Sequence, residues 1–357
     1  MALSIVRNDI TRMQVDAIVN TTNEYFQVGG LGVDAGIHDA AGPELKEALA
    51  EIGFCPAGSA VITSSFGITN CRYIIHTVGP YYIDGEHGES AQLRSCYVSV
   101  LALARKNGCR SLAFPLISTG AYRYPKAEAY SIATACIRAF LLSLPDDEEM
   151  MVYLVLFDRE SIAVSEKIDT GLKQFITDQY REDTKKRLAA AKSRRRPPVS
   201  GRVPHPAPNI VYRQEFLASL EEEALKEELR SDEAYEQDYA AEDRSFADMC
   251  EWWCQQKGIP KKEFYNRANI TRAMFWGLKH HPEQIPKKTN ALACVIGLKL
   301  DHDQAVDLLA RAGLTLSKYY ETDLIVEYFI QERNYDIDAI NALLFDKDLA
   351  LLGTCVI

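Results

Sequence analysis

The sequence predicts an α/β protein: a three-layer α/β/α domain over residues 1–178, then a charged linker and a small all-helical domain. Three observations carry this prediction. Short apolar runs alternate with helix-period patterns through the first 178 residues. One of these runs ends in a polar turn and a glycine-rich segment that leads into a helix. Past residue 178 the chain becomes rich in Lys, Arg and Pro, then in Glu and Asp, before apolar periodicity resumes near Ser245. A length of 357 residues exceeds one typical domain, and 47% hydrophobic residues are enough for real cores.

In chain order, residues 17–19, 60–63, 73–78, 111–114 and 152–157 read as buried strands. Helical patterns cover 33–51, 90–107 (closed by Gly108) and 125–144, where Pro125 suits a helix start. Strands alternating with helices imply ligands gathered at the carboxyl ends of the strands. The apolar N-terminal run is interrupted by Asp9 and Arg12, so no signal peptide is expected, and no 18-residue apolar span occurs.

Residues 179–244 cannot build a core. Lys185-Lys186-Arg187, Arg194-Arg195-Arg196 and the Pro-rich 197–208 read as linker, and 215–244 as an acidic, partly amphipathic helix. From 245 to 357, Ser245 with Asp248 resembles a capping box, and Phe246, Met249 and Trp253 form an apolar stripe. Further helices are expected over 262–268, 271–279, 289–300, 303–312, 323–333 and 336–344.

The formal net charge of −10 argues against a polyanion binder as a whole. Residues 1–180 carry 14 basic against 21 acidic side chains, so an anion would have to be held by backbone N–H groups and dipoles. The nine cysteines include no Cys-x-x-Cys and no zinc spacing, which suggests free thiols in a reducing cytosol, with Cys250 and Cys254 as core residues. No metal site and no cofactor are expected.

The segment that points to function is Gly29-Gly30-Leu31-Gly32-Val33-Asp34, preceded by Asn20-Thr21-Thr22-Asn23. Glycines let a backbone approach a ligand closely, and the helix start that follows attracts anions. Beside it stand Asn8-Asp9-Ile10-Thr11, Ile75-His76-Thr77-Val78-Gly79-Pro80, the run from Phe114-Pro115 through Ser118-Thr119-Gly120-Ala121-Tyr122-Arg123 to Tyr124-Pro125, and Leu154-Val155-Leu156-Phe157-Asp158. As an ordered set over residues 1–178 these motifs resemble the macro domain family of ADP-ribose-binding modules.

The resemblance implies specific roles. Asp9, with Ile10, would meet the adenine, and Phe157 would stack on it. Gly30, Gly32 and Val33 would cradle the diphosphate from one side, and Ser118, Thr119, Gly120, Ala121 and Tyr122 from the other. Asn23 would bond the distal ribose, while Asn20 would lock the turn. Asp34 matches the carboxylate that orients or deprotonates water in hydrolytic members. Asn23 and Asp34 are therefore the catalytic candidates for releasing ADP-ribose from an ester or deacetylating O-acetyl-ADP-ribose. His38 and His76 sit in apolar patterns and are expected to be core histidines. The chain departs from the family pattern in its Asn23–Asp34 spacing, in Leu31 and in Arg123. Two readings follow: a bacterial, cytoplasmic hydrolase, or a non-catalytic ADP-ribose sensor.

Residues 257–316 are similar in pattern to the repressor-type helix-turn-helix family, with the turn at Asn269-Ile270. Between Lys257 and Lys299 there are 9 basic and 2 acidic residues, which suits a DNA groove. Met274, Phe275 and Trp276 suit a protein partner equally well. Arg272, Trp276 and Lys279 are the candidate contacts.

Overall fold

The computed structural model describes residues 2–28, 32–156, 171–179, 244–281 and 283–353. Six strands form one sheet: β1 (Ala2–Arg7), β2 (Ala17–Thr22), β3 (Ala60–Ser64), β4 (Tyr73–Val78), β5 (Ser111–Pro115) and β6 (Met151–Leu156). Their spatial order is β1-β6-β5-β2-β4-β3. All pairings are parallel except that of β3 with β4. The sheet is therefore mixed. Ala17, Ile18 and Val19 of the inner strand β2 are fully buried because both of its faces are covered.

Helices α3 (Glu89–Lys106) and α4 (Lys126–Ser143) cover one face, where Tyr97, Leu101, Ile137 and Leu141 pack with Val19, Phe114 and Leu154. Helices α1 (Val33–Ala41) and α2 (Pro43–Ile52) cover the other, through Ile37, Leu45 and Leu49 against Ile18, Ile74 and Val155. Each such side chain contributes ~1.5–3 kcal/mol on full burial.

Two elements differ from the sequence expectation. The single helix over 33–51 is broken into α1 and α2 at Gly42, whose φ of 88° favours glycine, and Pro43 then occupies the first position of α2. The N-terminal run, not expected as a strand, is β1, paired in register with β6 from Ala2↔Met151 to Arg7↔Leu156.

Met1–Gln174 and Phe246–Ile357 make one compact unit. The second, Phe175–Ser245, holds the expected linker and acidic helix, which lie outside the described residues apart from 179 and 244. After α5 (171–179), the C-terminal helices are α6 (Phe246–Gln256), α7 (Lys261–Arg267), α8 (Arg272–His280), α9 (Lys288–Gly297), α10 (His302–Ala310), α11 (Glu321–Gln331) and α12 (Ile337–Asp346). Residue types at the helix starts account for several boundaries. Thr271 caps α8 by accepting from the Met274 N–H, Asp301 and Gln304 form a capping box on α10, and Asp336 caps α12.

The helical region is packed on the edge of the sheet. In the turn between α7 and α8, Asn269 adopts a left-handed conformation (φ 54°), and its Oδ1 accepts from the Leu3 N–H of edge strand β1 at 3.0 Å. Arg138 of α4 forms a bidentate pair with Asp338 of α12 and donates to the Asn266 carbonyl at 2.6 Å. Tyr130 donates to the Asp338 carbonyl at 3.0 Å. Ala342 and Phe345 join the core beneath α3 and α4. A strand edge that could pair with another chain is thereby covered.

Candidate functional site

The carboxyl ends of β2, β4, β5 and β6 open onto a cleft of about 350 Å³. β2 delivers Thr21, Thr22 and Asn23; the start of α1 delivers Gly32, Val33 and Asp34; β4 delivers Gly79. The turn after β5 supplies Pro115, Leu116 and Ser118 to Tyr122, α4 supplies Lys126, and β6 supplies Val155 and Leu156. Of the residues expected at the site, Asn23, Gly32, Val33, Asp34, Ser118, Thr119, Gly120, Ala121 and Tyr122 come together here. Gly30 and Phe157 lie outside the described residues.

Asp9 and Ile10 are not part of this lining. Asp9 follows β1 and caps a single 3₁₀ turn (Ile10–Arg12), where its Oδ1 accepts from the Thr11 N–H at 2.9 Å and the Thr11 hydroxyl at 2.7 Å. Ile10 is buried in the core beneath α1 and α2. Sequence reading missed Thr21, Thr22, Gly79, Pro115, Leu116, Lys126, Val155 and Leu156 as lining residues. The signal for the first three was their place at a strand's carboxyl end.

Asp34 is nearly buried, one residue into α1. Its Oδ1 accepts from Asn20 Nδ2 at 2.7 Å, and His38, one helical turn on, places Nε2 at 3.7 Å from the same oxygen. The other hydrogen of the Asn20 amide points at His76 Nδ1, 3.2 Å away. Asn20 therefore holds the carboxylate rather than locking the turn. The turn is held by Asn23, whose Oδ1 accepts from the Tyr25 and Gln27 N–H groups and whose Nδ2 donates to the Gln27 carbonyl. His76 is a core histidine with partners on both nitrogens, the second being Thr63 Oγ1 at 3.0 Å. Burial, with His38 nearby, pushes its pKa down to about 3, so its ring is neutral near pH 7.

The opposite wall is strained. Ser118 has φ 66°, a left-handed conformation unusual for serine. A Cβ at Gly79 would stand 2.0 Å from Ser118 Oγ, so the close approach of these two segments requires glycine. Among the described residues, Ser118 Oγ and Thr22 Oγ1 are buried without a hydrogen-bond partner, and both residues line the cleft. Arg123 also takes a positive φ, 56°, a conformation that glycine adopts more readily.

One cluster appears that spacing did not suggest. Asp84, His87 and Glu89 bring potential metal-ligand atoms within 4.8 Å of one another. Both Glu89 oxygens and Asp84 Oδ1 already have partners. Glu89 accepts from the N–H groups of Ile83, Asp84, Gly85 and His87, and Asp84 Oδ1 lies 2.9 Å from His87 Nδ1. Backbone donors, first its own N–H, hold the Glu89 pKa at about 2 against the effect of burial. The cluster organises the loop before α3.

On α8, Trp276 is exposed and stacks on His280 at 4.0 Å between ring centroids. Phe275, read from sequence as part of the same contact surface, is instead buried against Phe264 and Tyr265. Arg272 is exposed. Lys279 pairs with Glu251, and Lys288 with the buried Asp323, so part of the local basic excess is neutralised internally. Among the described residues, no helix is long and apolar enough to cross a membrane.

Residues 19–133 match the Macro domain family. The chain is 44% identical over 172 residues to macro domain-containing protein lmo2759 of Listeria monocytogenes, covering 47% of this chain and 97% of that protein. It is 44% identical over 165 residues to a protein of Escherichia fergusonii named O-acetyl-ADP-ribose deacetylase, covering 44% of this chain and 90% of the relative. A solved Trypanosoma brucei macrodomain in complex with ADP-ribose is 37% identical, with a TM-score of 0.41, over 45% of this chain and 66% of that one.

Proposed function

Because the chain belongs to the macro domain family, we propose that its cleft binds ADP-ribose and that the protein is a cytoplasmic hydrolase of ADP-ribosyl esters. The substrate is a mono-ADP-ribosylated protein side chain or O-acetyl-ADP-ribose. The observation that carries this reading is Asp34, a nearly buried carboxylate held by Asn20 at a cleft wall. The E. fergusonii relative's name as an O-acetyl-ADP-ribose deacetylase supports the same chemistry.

In this reading the diphosphate lies between the Gly30–Gly32–Val33 segment and the turn from Ser118 to Tyr122, where backbone N–H groups and the Ser118 hydroxyl receive it. Asp9, outside the cleft lining, takes the adenine amino group with Phe157 stacking on the ring, and Asn23 takes the distal ribose. Asp34 orients a water and accepts its proton as the oxygen attacks the ester, and the proton then passes to the leaving oxygen. The test is turnover of both substrates by the full chain and by Asp34→Ala. Turnover should fall by ~10³-fold or more in the variant, while ADP-ribose still binds within a few-fold. Undiminished turnover removes Asp34 from the mechanism.

A second reading, a sensor without turnover, draws on the grip of the helical region on β1, the strand that leads to Asp9. For the helical region we favour a protein partner at Trp276 over DNA read by Arg272 and Lys279, since Lys279 is already paired. Capture of duplex DNA that weakens steeply with salt would reverse that choice.

A further inference from the structure

We propose that His76 is a positioning residue for Asp34, acting through Asn20, a role that rests on the reading of Asp34 given above. Asn20 and His76 are direct partners in the parallel register of β2 and β4, and both are fully buried. The Asn20 amide has two hydrogens. One goes to Asp34 Oδ1 at 2.7 Å and the other to His76 Nδ1 at 3.2 Å.

An amide nitrogen only donates, so Nδ1 must present its lone pair and the ring proton must sit on Nε2. That proton faces Thr63 Oγ1 at 3.0 Å, and the Thr63 hydroxyl donates in turn to the Ser64 carbonyl at 3.0 Å. The donors thus run in a consistent pattern from β3 to the cleft. Thr63 fixes the tautomer of His76, His76 fixes the orientation of the Asn20 amide, and Asn20 presents N–H to Asp34. With the amide reversed, its oxygen would face the Asp34 carboxylate, an unfavourable pairing whichever His76 nitrogen carried the proton. The neutrality of His76 near pH 7 maintains the pattern, because a proton on Nδ1 would confront the Asn20 N–H.

His76 does not line the cleft, so substitution there acts on Asp34 at a distance. Displacing a reacting group by an ångström costs ~100-fold in rate. The test uses the full chain, with kcat and KM on O-acetyl-ADP-ribose, ADP-ribose affinity by calorimetry and thermal unfolding as a check of folding. His76→Leu removes the acceptor and should lower kcat by ~10–100-fold, with KM and ADP-ribose affinity within about threefold. His76→Asn keeps an oxygen acceptor near the Nδ1 position and should recover kcat to within about fivefold of the parent. Thr63→Val, which releases the tautomer without touching the cleft, should cost ~3–10-fold in kcat alone.

Parental kcat in a folded His76→Leu overturns the positioning role. So does a loss of affinity as large as the loss of kcat, which would mark a structural role only. If His76→Leu does not fold, Thr63→Val decides, and parental kcat there is equally fatal. Full turnover in Asp34→Ala, or none in the parent protein, would instead overturn the reading of Asp34, and the positioning role with it.

Discussion

The β1 edge of the sheet and the cleft at its strand ends treat buried polar groups in opposite ways. At the edge where β1 meets the helical region, Arg138, Asn266, Asn269 and Asn341 are buried or nearly so, and each is hydrogen-bonded across the junction or within the helical region. At the cleft, the hydroxyls of Ser118 and Thr22 are buried without partners, and Ser118 is held in an unfavourable backbone conformation. An unsatisfied buried hydroxyl costs ~1–3 kcal/mol, and a strained non-glycine residue about as much. The junction therefore reads as structure and the cleft as a place where stability is exchanged for recognition of a polar ligand.

The largest effect is expected from removing one side of the best-buried ion pair at the junction. Asp338→Ala leaves the Arg138 guanidinium buried without its carboxylate, which should cost ~3–5 kcal/mol in chemical denaturation. ADP-ribose affinity of the folded variant should stay within about threefold of the parent. A loss below 1 kcal/mol would show that the junction contributes little.

Acid should act on the cleft side first. His76 has a folded-state pKa near 3 and an unfolded value near 6.5. Between those values the unfolded chain binds the extra proton, so stability falls as pH drops through this window, by about 2 kcal/mol at pH 5. Glu89, depressed to about 2 from 4.5, adds its own loss only as pH falls below 4.5. In His76→Asn the decline between pH 6.5 and 4.5 should be shallower. An identical pH dependence in parent and variant would show that His76 is not the group responsible.

The smallest effect concerns strain outside the ligand contacts. Arg123 is exposed at φ 56°, so Arg123→Gly should relax the turn and raise stability by ~0.5–1 kcal/mol despite glycine's greater freedom when unfolded. Unchanged or lower stability would show that the turn is not strained at this residue.

Strands β2, β4, β5 and β6 and helices α3 and α4 were legible because apolar runs and helical periodicity are local signals. The split between α1 and α2 was missed although Gly42-Pro43 stands in the sequence, because the apolar spacing on either side runs through it. β1 was missed because a short apolar run has no meaning as an edge strand until β6 lies beside it. At the site, Asn23, Gly32, Val33, Asp34 and the turn from Ser118 to Tyr122 could be placed from motifs. The roles of Asn20 and Asn23 could not, because Asn20 depends on its pairing with His76, 56 residues away, and on the packing of α1 over both. The junction lay further beyond reach, since it joins Leu3 to Asn269 and Arg138 to Asp338.

Binding of ADP-ribose in the cleft is tested by calorimetric titration of the ligand into the full chain and into Asp9→Ala. One site per chain is predicted, weakened in the variant by ~1–3 kcal/mol through loss of a charge-assisted hydrogen bond to the adenine amino group. A folded chain that gives no binding signal would contradict the cleft as the ADP-ribose site, and an Asp9→Ala variant that binds as tightly as the parent would contradict the adenine role of Asp9.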